Sequence, residues 1–259
     1  MHAFIQLPRL ACLVRHAAAY PQDEEIRAEA LSLVAELWAL DVSAPILSIM
    51  QTSTSVVETP PCPSIADIVP TSLHFDSIQT VILLTRYWML RNHLCGILEM
   101  MYKHFPSHCA GTLLPSIDAV REVDKKAAVN IAQSVPYSSS ISPGLPLVPM
   151  RLLAPVCISM GIWYRTIQRL EAMIGTGESA LVLSFQEVLE LEIARRMQTW
   201  VAEQSNNIYV GWGIDLVPIE MVQVALDVMA GEQIPGWMPR RVRFEEVGDE
   251  MVMKLDYEN

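Results

Sequence analysis

The chain has little charge, and what it has is mostly negative. Charged residues make up 18%, against roughly 25% in an average globular protein, and 29 Asp and Glu outweigh 18 Lys and Arg to leave a net charge of −11. Apart from Arg240, Arg241 and Arg243 the cations are scattered, so no basic face is available to neutralise a run of phosphates. Direct nucleic-acid contact is not expected. Cysteine is sparse too: Cys12, Cys62, Cys95, Cys109 and Cys157 are odd in number, widely spaced and free of any CxxC pair. That pattern argues against a disulfide framework and fits a reduced, intracellular setting. The opening MHAFIQLPRLACLVRH carries charge at Arg9 and lacks a long apolar core ending in small residues, so it is not read as a signal peptide. Apolar runs around Val81 and Val156 are cut by Arg86, Arg91, Arg151 and Arg165, short of the roughly 18 residues a membrane span needs. Both are read as core helices, and no membrane partner is expected.

The short motifs of catalysis are missing as well. There is no GxSxG elbow, no HExxH and no phosphate-cradling GxxxxGK. Gly175-Thr-Gly-Glu-Ser-Ala180 imitates a dinucleotide fingerprint, but a helix precedes it where that loop needs a strand. His104, His108 and Cys109, with Cys95 one helix face away, are suitable zinc ligands by type. Pro106 breaks the helix that would align the two histidines, so they read as an ordinary loop. His93 reads as a packed or hydrogen-bonded residue rather than a base. Glu187, Glu190 and Glu192 could pair for acid–base work, yet on an amphipathic helix they make the solvated face. No catalytic, cofactor-binding or metal-ligating residues are assigned, no cofactor is expected, and the chain is read as not an enzyme.

What remains is 51% hydrophobic sequence over 259 residues, enough for one domain with a substantial core. The stretch from Ser72 to Phe105 contains no proline and repeats apolar residues at helical spacing, from Phe75, Ile78 and Ile82 through Trp88 to Leu98 and Met101. Val81, Leu83 and Leu84 spread that surface almost all round, so this helix must be buried. Asp76 is placed in its first turn, Lys103 and His104 in its last, and Pro106 just after. Further helices are expected after Pro8, over 22–40 with Ile26, Ala30, Leu33, Val34, Leu37 and Trp38 on one stripe, and from an N-cap at Ser116 to Gln133. Three more follow: Met150 to Ile174 with Pro155 opening or kinking it, Ser179 to Gln204 with Phe185, Val188, Leu189 and Trp200 inward, and Ile219 to Met229 ended by Gly231. Proline-rich or Ser-rich connections are expected near 41–71, 106–115 and 138–149, and a hairpin or tail around Gly248-Asp249 over 240–259. The fold class is therefore all-α: about six or seven helices irregularly packed in a single domain, 1–259, around one long central helix. Trp88, Trp163 and Trp200 are assigned to the core, while fourteen methionines, Met100 and Met101 among them, with Tyr102 beside them, leave room for a plastic pocket or interface.

Three segments resemble, in this order, the C-terminal regulatory region of fungal zinc-cluster transcription factors. Phe75 to Leu98, with the pair Tyr87-Trp88, is similar to that family's long helix. Ala127 to Tyr137 resembles the segment ending in Ser134-Val135-Pro136-Tyr137. Leu152 to Gly175 resembles the element in which Trp163 leads to Leu170-Glu171-Ala172-Met173-Ile174-Gly175, although Ala154 stands where the family has a tryptophan before Pro155. The resemblance implies an all-helical domain of a nuclear regulator, often of secondary-metabolite or nutrient pathways. The family's six-cysteine DNA-binding cluster has no counterpart here, so the chain is expected to regulate transcription without contacting DNA. Its expected partners are proteins, as a homodimer or as a heteromer with a full-length regulator. The alternatives are a small-molecule sensor with its pocket between helices 72–105 and 150–174, or an enzyme of unrecognised class; outside the nucleus the expected location is the cytoplasm.

Overall fold

A computed structural model describes residues 2–40, 43–109, 114–145, 147–175, 183–213, 215–238, 241–247 and 250–256. In chain order these residues form α1 (His2–Ala19), α2 (Glu24–Ala39), α3 (Ser43–Ser53), β1 (Thr54–Val57), a 3-10 turn at Pro63–Ile65, β2 (Ser72–Phe75), α4 (Ile78–His104) and the single turn α5 (Pro106–Cys109). Then come α6 (Ile117–Ile141), α7 (Leu147–Gly175), α8 (Phe185–Gly211), α9 (Ile219–Ala230), β3 (Arg241–Val247) and β4 (Glu250–Asp256). The protein is all-α; among the described residues its strands make only two antiparallel pairs, β1 with β2 and β3 with β4.

Although Leu83, expected inside, is 47% exposed, α4 is apolar over most of its girth because it is buried twice. Its first half places Val81, Leu84 and Trp88 in a cluster with Ile131 of α6, Met160 and Trp163 of α7, and Trp200 of α8. Its second half carries Leu94, Ile97, Leu98 and Met101 into a separate cluster with Leu10 and Val14 of α1 and Val34 of α2. Complete burial of a Leu or Met is worth about 1.5–3 kcal/mol, so both halves hold the helix in place. α6 and α7 pack on α4 and on each other, α8 lies along α7, and α9 bridges α4, α7 and α1. Trp163 and Trp200 sit in the core with their indole Nε1 atoms unpartnered among the described residues, a cost that ring burial offsets.

Several boundaries differ from the sequence reading, each for a local reason. α4 begins at Ile78, not near Ser72: Ser77 is extended and its hydroxyl accepts the Thr80 N–H, so Asp76 lies before the cap. Ser72–Phe75 is instead a strand, pairing Leu73 with Val56 and Phe75 with Thr54. Proline was over-weighted as a breaker. Pro8 lies inside α1, Pro45 in the first turn of α3 where no donor is missed, and Pro136 inside α6, which continues to Ile141 because Ser138 and Tyr137 beyond it are packed. The 41–71 connection thus holds a helix, a strand and a turn, and the 138–149 connection shrinks to the α6–α7 link. α8 starts at Phe185 behind a capping box, in which Ser184 accepts the Glu187 N–H while Glu187 accepts the Ser184 N–H. Phe185, Val188 and Leu189 are consequently exposed, not inward, Phe185 to 85%. The hairpin at 241–256 forms with the register Phe244 to Met253; Gly248-Asp249 falls outside the described residues, as does 176–180 of the glycine-rich loop.

Two stretches, Glu24–Ser53 and Leu147–Ile174, are long and apolar enough to cross a membrane by length and composition alone. The second is a core helix here, packed between α4, α6 and α8 and 56% buried in its most apolar window.

α9 ends as the sequence indicates, and the ending fixes its docking. Gly231 has φ +110, its N–H reaches the Val228 carbonyl at 3.2 Å and the Glu232 N–H reaches that of Asp227 at 2.9 Å. Arg15 of α1 donates to the carbonyls of Val228 and Glu232 at 2.6 and 2.7 Å, a cation at the negative helix end. A Cβ on Gly231 would lie 2.8 Å from Val14 Cγ1. Gly231→Ala should therefore lower stability by more than the roughly 1–2 kcal/mol of left-handed strain alone. Gly213→Ala supplies the comparison, since Gly213 has φ +66 and nothing within 4 Å of its Cβ position. Equal urea midpoints for the two variants would refute this account of α9.

Candidate functional site

The apolar helix α7 carries one guanidinium into the interior, and the helices around it are shaped to receive it. Gly96 of α4 and Gly161 of α7 leave the slot: a Cβ at either would stand 3.1 and 2.7 Å from Arg165 Nη1. Arg165 Nε donates to Glu99 Oε2 of α4 at 2.6 Å, and Nη2 to Asp124 Oδ2 of α6 at 2.5 Å. Asn92 Nδ2 completes the cluster by donating to Asp124 Oδ1 at 2.5 Å and to the Asp124 carbonyl at 2.7 Å. Farther out, Arg121 reaches Glu99 at 3.3 Å and Asp118 at 3.4 Å.

Glu99 and Asp124 both bond the Arg165 guanidinium, and Glu99 has Arg121 besides, whereas Asp124 has Arg165 alone among the described cations. Asp124, with a side-chain exposure of 0%, takes the strain: burial pushes its carboxyl up to about 6, against the pull of Arg165. Burial disfavours the charge on Arg165 too, but the Asp124 and Glu99 carboxylates outweigh it and hold the guanidinium protonated. Burial, then the Asp124 charge, drives the nearby Cys95 thiol well above its usual range, so it is an inert core thiol.

Above this cluster opens a cleft of about 700 Å³ between α4, α6, α7 and α9. Lys103, Arg121, Arg165 and Arg169 line it with Glu99, Asp227 and Glu232, and Met100, Ile117 and Ala172 supply apolar wall. Glu232 is held by Lys103 at 2.9 Å, and Arg169 by Glu190 of α8 at 2.8 Å. Asp227 accepts a hydrogen bond from Tyr164 at 3.2 Å, and burial raises its carboxyl above the ordinary range. A second cleft of about 510 Å³, where α6, α7 and α8 meet, is uncharged and lined by Ser138, Ser142, Gln204, Asn207 and Trp212.

The sequence reading assigned no site, and the residues it weighed do not gather into one. Among the described residues no group of three or more His, Cys, Asp or Glu could hold a metal ion, so Cys95, His104, His108 and Cys109 form no cage. His93 is half-buried with Nε2 2.9 Å from the Met229 carbonyl, and burial lowers its basicity. Glu187 is spent on the capping box and Glu190 on Arg169, while Glu192 is exposed. Met100 and Met101 are buried core, though Met100 also touches the cleft. Missed altogether were Glu99, Asn92, Asp124 and the two glycines, and Arg165 was noticed only as an interruption of an apolar run. A charge and a mid-helix glycine within apolar helices are signals of close approach or buried pairing.

No protein family, no curated protein and no solved structure matches this chain. The geometry alone defines what the cleft can do: with guanidiniums and an apolar wall it can hold a charged small molecule or anchor a polar side chain.

The cluster makes stability pH-dependent in an unusual direction. A carboxyl whose native value is raised binds its proton more tightly when folded, so its contribution is full below about pH 4 and is lost as pH rises through about 6. Relative to Asp124→Asn, which leaves Arg165 paired with Glu99, the unaltered protein should lose up to about 3 kcal/mol between those limits. Parallel urea-midpoint profiles for the two proteins from pH 4 to pH 7 would contradict this.

Proposed function

We propose that the chain is a transcriptional regulatory domain of the fungal zinc-cluster type that has no DNA-binding module of its own and works by protein contact and effector sensing. The supporting observation is convergence. The three segments that resemble the family lie on α4, α6 and α7, the helices that pack mutually at the centre of the fold. Trp88 and Trp163 from two of them share one cluster with Ala127, Ala128 and Ile131 from the third, and Tyr137 of the Ser-Val-Pro-Tyr segment sets its ring edge against Phe75 at 5.2 Å. Segments scattered over the sequence thus make one scaffold.

Effector sensing is the part of the reading that the cleft favours, since it opens between α4 and α7. The proposed activity is binding, not bond making. Protein contact is favoured by the exposed apolar residues Phe185, Val188 and Leu189 in the first two turns of α8. The nucleus is the proposed location.

Fusion to a heterologous zinc-cluster DNA-binding module tests the regulatory reading. In a fungal reporter strain the fusion should change transcription several-fold relative to the module alone; a folded, nuclear fusion that leaves the reporter at the module-alone level would overturn it. The partner reading is tested separately. Light scattering should give a mass above one chain, or affinity capture from nuclear extract should return a full-length regulator, and Phe185→Glu should weaken either association at least tenfold. A strict monomer that recovers no regulator would count against it.

A further inference from the structure

We infer that the cleft between α4, α6, α7 and α9 binds a monocarboxylic acid with an apolar body, gripped by Arg121 and Arg169. The inference rests on the effector-sensing reading and gives its ligand a chemical class. The argument is one of unused donors. Each guanidinium offers five N–H groups in a planar fork that matches a carboxylate. Arg165 is tied by short bonds to Glu99 and Asp124 on either side. Lys103 is held by Glu232. Arg121 is different: both its contacts, at 3.3 and 3.4 Å, are longer than a good charge-assisted bond, and one partner, Asp118, is 88% exposed and therefore screened by water. Among the described residues Arg169 has a single bond, to Glu190 on another helix. Two partly buried forks with spare donors therefore face one cleft.

The size and charge of the cleft select the ligand. About 700 Å³ falls within the range of small-molecule sites. Four cationic and three acidic side chains line it, and Asp118, Asp124 and Glu190 pair with its arginines from just outside, so no surplus of positive charge draws in a polyanion and the grip on a single carboxylate is the hydrogen bonding of the forks. A phosphate or polyanion would meet Asp227 and Glu232 across the same space. Met100, Ile117 and Ala172 offer apolar wall to the remainder of the molecule.

Isothermal titration of the full chain with butyrate, hexanoate, benzoate and 4-phenylbutyrate, each beside its neutral amide and beside inorganic phosphate, tests this. At least one acid should bind tenfold or more tightly than its amide and than phosphate. Arg121→Gln and Arg169→Gln, both at partly exposed positions and verified as folded by circular dichroism, should each weaken that acid at least tenfold, and Arg9→Gln at the α1–α2 surface should not. Equal binding of acid and amide, preference for phosphate, no binding by any acid, or indifference to both arginine variants would overturn the inference. A failure here beside an active reporter fusion leaves the regulatory reading standing; tight acid binding beside an inert fusion does the reverse.

Discussion

The structure depends on how one buried positive charge is neutralised. Arg165 sits on a largely apolar helix with its side chain mostly buried, and an uncompensated guanidinium in that position would cost several kcal/mol. Its counter-charges come from two other helices, Glu99 on α4 and Asp124 on α6, and the space for its head comes from Gly96 and Gly161. Apolar packing alone tolerates sliding of one helix past another by a turn. An ion pair with bonds of 2.5 and 2.6 Å does not, because a slip would leave three charges buried and unpaired. The cluster therefore fixes the register of α4, α6 and α7 with respect to one another. It does so without great profit in stability, since complete burial leaves Asp124 with a raised proton affinity in spite of the Arg165 charge.

This explains which parts of the fold could be read from sequence. Helix α2, the Ser116 cap, the α9 terminus at Gly231 and the burial of Trp88, Trp163 and Trp200 follow from patterns within a few residues of one another. Helix α4 was legible as buried through its apolar girth, but its start was not, because Phe75 continues the helical spacing while belonging to a strand. Prolines 8, 45 and 136 misled for the opposite reason: the local rule is sound, and packing on either side overrides it. The inward placement of Phe185, Val188 and Leu189 failed because a helical stripe says which residues share a face and not whether anything covers it. The polar cluster was invisible. Its bonds join Glu99 to Arg165 across 66 residues, Asp124 to Arg165 across 41 and Asn92 to Asp124 across 32, and no local pattern records such a meeting.

The cleft lies at the seam between the two apolar clusters. Met100 on one wall belongs to the cluster built on α1 and α2, whereas α7, which supplies Arg165 and Arg169, belongs to the other. α9 closes the same seam from outside, held by Arg15 of α1 and by His93 of α4. A molecule in the cleft thus touches elements of both halves, and its binding energy acts on their relative placement more directly than on either core.

The same geometry links the cleft to the exposed end of α8. Arg169 faces the cleft and bonds Glu190 of α8 at 2.8 Å, one turn beyond the exposed Phe185 and beside the exposed Leu189. An anion on the spare donors of Arg169 would add negative charge next to the Glu190 carboxylate. That repulsion would loosen the start of α8 from α7, while Met197, Trp200 and Val201, buried in the shared core cluster, keep the remainder of α8 in place. On the proposed reading, sensing and protein contact would need no long relay in this fold, because Arg169 stands between the cleft and the start of α8.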